Sequence, residues 1–291
     1  MLRSALARCF DDRQKRVLKA KVHQARLRVV KALRSYGPAQ LTKELRRLGV
    51  AESDTLFVHS NFEPLSGFTG TPADVVRALA SAVPDGTLLM TTIPFRGSAY
   101  DYLRKGKVFD VRKTMSMMGL ITENFRRHPG TVRSLHPTHP VVALGRDAEW
   151  VVEGHDVCAY PCGPGTPFEK LRTLHGKILF FDVGFGAITF FHYVEHLLMP
   201  QLPFPIYEDE VFEMPVVDGA GTKRTVRTHA YSRAFPRNAA SLYAEMLRRR
   251  RVTKGRVGNS RLLLVQTEDV VDCMTDMVKQ GRYPYHLQAT T

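Results

Sequence analysis

Apolar residues recur at helical spacing over residues 13–35, where Leu18, Val22, Ala25, Val29 and Ala32 fall on one face. Gly37-Pro38 ends that segment. Beyond it the pattern becomes that of an α/β protein. Ala39–Leu48 reads as a helix stopped by Gly49, and Thr55–Val58 as a short apolar strand. Thr71-Pro72 opens a helix to Val83, with Thr as N-cap and Pro in the first turn. Asp85-Gly86 turns the chain into a strand over Thr87–Thr92. Gly119–Arg127 is helical, Val141–Leu144 and Ile178–Val183 are strands, and Thr189–Leu198 is a helix that stops before Pro200. Ala239–Arg249 is a helix, Arg261–Val265 a strand, and Thr267 caps a last helix with Glu268 and Asp269 in its first turn. No internal repeat or low-complexity block interrupts this order.

Composition fits a folded domain: 291 residues, 44% hydrophobic and 24% charged. No apolar run reaches the roughly 18–20 residues that span a bilayer. The opening MLRSALARCFDDRQKR lacks the apolar core of a secretory signal, so a cytoplasmic protein is expected. Charge changes the picture more. The net charge is +14, and residues 1–36 hold eleven Lys and Arg against Asp11 and Asp12. We therefore expect a basic helical extension over residues 1–36 and the main domain over 37–291. The extension either packs on that domain or a sister subunit, or lies on a membrane or other polyanion. A non-catalytic polyanion-binding protein is the reading that rests on charge alone. Arg248–Arg251 reads as a solvated face at a helix end, and no nucleic-acid partner is expected. Of the four cysteines, Cys9, Cys158, Cys162 and Cys273, the middle pair frame a Tyr-Pro turn close enough to meet; reduced, buried thiols are expected.

Three stretches can carry chemistry. His59-Ser60-Asn61 to Gly70 links a strand to a helix start, a geometry suited to anions. No dinucleotide or P-loop fingerprint accompanies it. Arg133-Ser134-Leu135-His136-Pro137-Thr138-His139-Pro140 is a rigid loop whose arginine can meet a phosphate, or a connector whose histidines bond backbone. In the third, Thr189, His192 and Glu195 share a helix face. An imidazole one turn from a carboxylate is a general base in one reading and a buried, satisfied histidine in another. Thr189 can bond a developing oxyanion. The same stretch spells His192-x-x-Glu195-His196, the inverted zinc-peptidase pattern, which would need a third ligand downstream.

The ordered set Leu56-Phe-Val-His-Ser60, Asp85-Gly-Thr-Leu-Leu-Met90, Met118-Gly119, Arg133-Ser-x-His136-Pro137, Gly163-x-Gly-Thr-Pro-Phe168, Thr189-x-x-His192-x-x-Glu195 and Gly258-Asn259 resembles the aminoglycoside 3-N-acetyltransferase family. The likeness runs from about residue 40 to 280. The resemblance implies a mixed central sheet with flanking helices, distinct from the GNAT fold, and acetyl-CoA as donor. It implies His192, Glu195 and Thr189 at the catalytic centre. It places His59, Ser60, Asn61, Met118, Arg133, Ser134, His136 and Thr166 on the coenzyme side, and it calls for no metal. Three positions depart from the family pattern: Asn61 and Pro140 where serine is usual, and Thr166 where Ser precedes Pro-Phe. The basic balance suits an anionic acceptor, and Val108–Arg112 through the His136–Pro140 loop resembles family members linked with polysaccharides, which implies an amino sugar, nucleotide- or lipid-linked or in a glycan, as acceptor; an aminoglycoside antibiotic is the alternative. The acidic run Tyr207–Glu210 with Glu213 can line the acceptor cleft or lie solvated. Direct transfer is expected over an acetyl-enzyme, since no cysteine adjoins His192 in sequence. Oligomeric state stays open, a homo-oligomer included.

Overall fold

The computed structural model describes residues 11–286. Cys9 and the start of the basic extension lie outside the described residues. Helix α1 (Asp12–Leu33) opens on a capping box in which Asp11 accepts from the Gln14 N–H and the Gln14 side chain accepts from Asp11 N–H. It meets the body at the turn Pro64–Ser66, while its apolar stripe faces solvent. Tyr36 follows, buried, with its hydroxyl bonded to Ser260 and its backbone paired to Gly67 and Thr69.

The centre is a mixed sheet of seven strands in the order β4-β5-β2-β1-β6-β10-β9. The strands are β1 (Thr55–Ser60), β2 (Thr87–Thr91), β4 (Val132–Arg133), β5 (Val141–Gly145), β6 (Lys177–Phe181), β9 (Thr253–Val257) and β10 (Ser260–Gln266). Only β2, β1 and β6 run parallel, and the outer strands pair antiparallel. The middle strands are covered on both faces, which is why they read as unbroken apolar runs. Leu56, Val58, Leu88, Met90, Leu179 and Phe181 point to one side, toward α2 (Pro38–Arg47), α3 (Pro72–Ala82) and α5 (Leu120–Arg126). Phe57, Leu89, Ile178 and Phe180 point to the other. There they meet α6 (Ala148–Val152), α7 (Pro167–Thr173), α8 (Phe191–Leu197), α9 (Ala239–Arg248) and α10 (Thr267–Lys279).

A smaller sheet, β3-β7-β8, stands beside the main one. It joins β3 (Phe109–Asp110), β7 (Tyr207–Val217) and β8 (Lys223–Tyr231), and α4 (Ala99–Leu103) packs against β8. Of the two settings expected for the acidic run, cleft-lining or solvated, the hairpin has the solvated one, on a strand rather than a loop. Phe212, Met214 and Val216 alternate inward, so Glu213 is turned out, an alternation of period two that the acidic residues mask. A second difference concerns the last helix: β10 runs straight into α10, so Gln266 is the capping position and Thr267 is already inside the helix. Cys158, Cys162 and Cys273 are free thiols, and Cys158 Sγ faces the carbonyls of Gly154 and Pro164 rather than Cys162.

Candidate active site

The carboxyl ends of the parallel strands converge on α8, the place where open α/β sheets hold ligands. β1 ends in His59-Ser60, β2 in Thr91, and the chain after β6 climbs through Phe185–Ala187 into α8. His59 Nε2 accepts the Thr189 N–H at 3.3 Å, and the Thr91 and Thr189 hydroxyls lie 3.4 Å apart. These contacts tie the start of α8 to two strand ends. Burial pushes the His59 pKa down to about 3, so it serves as a neutral acceptor.

His192 and Glu195 sit one turn apart, with His192 Nδ1 2.6 Å from Glu195 Oε1. Glu195 is fully buried, and two distant residues complete its shell. Arg237 forks onto it with Nε and a terminal nitrogen at 3.1 Å each, and the Tyr285 hydroxyl donates at 2.6 Å. Arg237 and Tyr285 are themselves brought side by side by an antiparallel backbone bridge. Its bonds run from Asn238 N–H to Pro284 O and from His286 N–H to Pro236 O, each 2.8 Å. Burial alone would raise the Glu195 carboxyl; the charges of His192 and Arg237, with their hydrogen bonds, bring it below the ordinary range. An ionised Glu195 can only accept, so the His192 nitrogen that faces it, Nδ1, is the one that donates, and Nε2 is the ring atom left for a ligand. Tyr231 stacks on the ring at 4.2 Å and His139 meets its edge at 5.7 Å. The ring opens into a cleft of about 670 Å³ lined by Ile93, Phe95, Arg96, Met118 and Arg233, within the range of small-molecule sites.

The other residues singled out from the sequence are distributed unevenly about this cleft. Met118 lines it with His192. Ser60 is next to His59 but on the opposite face of β1, and its hydroxyl is buried with no hydrogen-bond partner. Asn61 is exposed and donates its N–H to Phe181 O. Thr166 is buried at the head of α7, donating to Gly163 O at 2.6 Å. The Arg133 guanidinium turns inward to Thr92 and to the carbonyls of Val111 and Thr114, over the Phe109 ring. Burial lowers its pKa to about 9. Ser134 accepts from Val141 N–H and bonds His155, and His136 accepts from the backbone of Thr138 and His139 and stacks on His155. Arg133, Ser134 and His136 thus brace the loop that presents His139, and none of them lines the His192 cleft. Arg237, Tyr285, Tyr231 and His139 at the centre went unassigned in the sequence, since no spacing links them to His192.

His196 turns to the Tyr207 hydroxyl at 2.9 Å, and Glu195 is committed to Arg237. Among the described residues no group of three or more His, Cys, Asp or Glu converges as a metal set, so the inverted zinc-peptidase pattern lacks its third ligand. The acidic residues of β7 pair outward, Glu208 with Arg233 and Glu210 with Arg104, and do not line the cleft.

Known proteins resemble the chain in sequence and in fold. A sequence model of the family described as aminoglycoside 3-N-acetyltransferase matches residues 57–279. Aminoglycoside N(3)-acetyltransferase III of Salmonella sp is 30% identical over 195 residues, 62% of this chain and 66% of that protein. The chain thus spans just under two thirds of that relative's length. The form III enzyme of Pseudomonas aeruginosa is 27% identical over 256 residues, 80% of this chain and 89% of that protein. Among solved structures, aminoglycoside acetyltransferase AAC(3)-Xa superposes with a TM-score of 0.77 at 25% identity, covering 90% of this chain and 99% of the other. AAC-IIIb in binary complex with CoASH gives 0.73 at 23% identity over 85% and 98%, a likeness of fold. With the matched segment running from β1 to the last turn of α10, and the His192–Glu195 pair inside it, the chain belongs to the aminoglycoside 3-N-acetyltransferase family.

Proposed function

We propose that the chain transfers the acetyl group of acetyl-CoA to an amino group of an aminoglycoside, with His192 as general base. The observation that carries this reading is His192 lining the cleft with Nδ1 held by the buried Glu195, which Arg237 anchors in turn, so that Nε2 is the ring atom turned to a ligand. Acetyl-CoA supplies the acetyl group as a thioester with a thiolate leaving group. The cleft suits it: Ile93, Phe95 and Met118 offer apolar contact, and Arg96, exposed and without an ion-pair partner among the described residues, offers a cation for phosphate. Arg233 and Arg237 are already offset by Glu208 and Glu195.

His192 Nε2 takes the proton that the acceptor nitrogen gives up as the new N–C bond forms. Glu195 stabilises the imidazolium through Nδ1–H without taking its proton. His192 then returns the proton to the departing sulfur. Direct transfer fits the thiols as well: burial pushes Cys162 well above the usual range, which disfavours a thiolate nucleophile. Thr189, whose hydroxyl faces Thr91, fixes the head of α8. The relatives named above favour the antibiotic over a nucleotide- or lipid-linked amino sugar as acceptor. Thiol release from acetyl-CoA, followed across aminoglycosides and amino-sugar nucleotides, tests this. Turnover with aminoglycosides is expected; turnover confined to the nucleotides replaces the acceptor, and none with any amine refutes the proposal.

A further inference from the structure

We propose that the exposed face of α1 binds the surface of a membrane rich in anionic lipid. The inference is independent of the acetyl-transfer reading. At about 100° per residue, Ala32, Ala25, Leu18, Val29, Val22 and Leu33 fall within an arc of about 100°. This face is open to solvent: Leu18 is 46% exposed, Val22 43%, Val29 56% and Leu33 75%. Lys21 and Arg28 border the arc on one side, and Lys19 and Arg26 on the other. Leu27 and Val30, half-buried, lie beyond the basic borders, and Val30 reaches toward Gly67. The helix is moored by one side near its C-terminal end, and its apolar strip, edged with cations, stays open to solvent beside that mooring, where Val22, Ala25 and Val29 share a groove with Leu65 and Asn259.

Charge complementarity selects the occupant. Anionic headgroups attract the two basic borders while the strip between them enters the apolar boundary. A second copy of α1 would bring like-charged borders together. The acidic side chains on the body of a second copy are largely engaged already: Glu245 with Arg248 and Arg249, Glu268 with Arg172, Asp269 with Arg251. A nucleic acid would meet the cations and leave the strip in water. Because the strip holds Val, Ala and Leu without Trp or Phe, the attraction of charge carries most of the binding, which makes it reversible and salt-sensitive.

The test is co-sedimentation of the full chain with vesicles of phosphatidylcholine alone or mixed with phosphatidylglycerol. Binding to the mixed vesicles only is expected, lost at about 0.5 M salt. Reversing charge in a Lys19→Glu, Lys21→Glu, Arg26→Glu, Arg28→Glu variant lowers partitioning by more than about tenfold. Val22→Ser with Val29→Ser lowers it several-fold at unchanged charge, with unaltered thermal melting of the body as the folding control. Equal binding to neutral vesicles, or no binding to either, overturns the proposal. So does full vesicle binding by the serine variant together with wild-type affinity for heparin, which would mark a polyanion site instead.

Discussion

At the scale of single residues, the proposed base, His192, is held by contacts from three parts of the chain. His192 and Glu195 are three positions apart, but the residues that neutralise and orient Glu195 come from 42 and 90 positions away. Helical spacing made the first pair legible in the sequence; no periodicity points from α8 to Arg237 or Tyr285, because a backbone bridge between two loops brings them there. His192→Ala should lower turnover by about two to four orders of magnitude. Acetyl-CoA affinity, read by calorimetry, should stay near that of the parent protein. Arg237→Met leaves Glu195 a buried charge without its cation, and should cost about 3–5 kcal/mol of stability in denaturant titration. Tyr285→Phe removes one hydrogen bond to the same carboxylate, and a loss of about 1.5–3 kcal/mol is expected. A Tyr285→Phe effect equal to that of Arg237→Met would show that the two do not act on Glu195 as described.

Among the elements, the attachment of α1 depends on one glycine. Gly67 has φ +89, and a Cβ there would lie 2.2 Å from Arg34 O and 3.4 Å from Val30. Gly97 has a similar φ of +83 with open space around it. Gly67→Ala should therefore lower the melting temperature more than Gly97→Ala, the difference reporting the clash with the end of α1 rather than backbone strain. The long helices and the doubly covered strands were legible because their patterns are strong: β1, β2 and β6 carry the apolar runs Leu56–Val58, Leu88–Met90 and Ile178–Phe181, and α3 carries its Thr71 cap and Pro72. The β7–β8 hairpin was not. Its inward residues are interleaved with Glu and Arg, so charge obscured the alternation, and β9, Thr253–Val257, is an edge strand with little burial to betray it. The short helices α4, α6 and α7 are too brief for a helical period to declare itself.

The molecule as a whole carries a set of neutral histidines in its interior. Burial lowers His59 to about 3 and His155 to about 4, and holds His136 and His139 well below 6.5. The unfolded chain binds protons at these positions near pH 6.5 while the folded chain does not. Stability should therefore fall as pH drops below 6.5 and go on falling until the folded groups titrate at about 4 and about 3. Melting temperatures recorded from pH 7 to pH 4 check this; a flat profile would mean that the imidazoles are solvated. The mixed sheet, its flanking helices and the pairing of His192 with Glu195 could be anticipated from the chain, whereas the surface charge pointed to an acceptor that the relatives favour less. Most basic side chains of the body, Arg249 and Arg251 among them, are spent on internal pairs, so net charge says little about what enters the cleft. The bridge between Arg237 and Tyr285 has one more consequence. Tyr285 follows every helix and strand of the described chain, so a ribosome has made the whole scaffold before the hydroxyl that steadies the base emerges. A nascent or prematurely terminated chain would own a nearly finished fold with an unsteady carboxylate, and the proposed acetyl transfer would switch on late in synthesis.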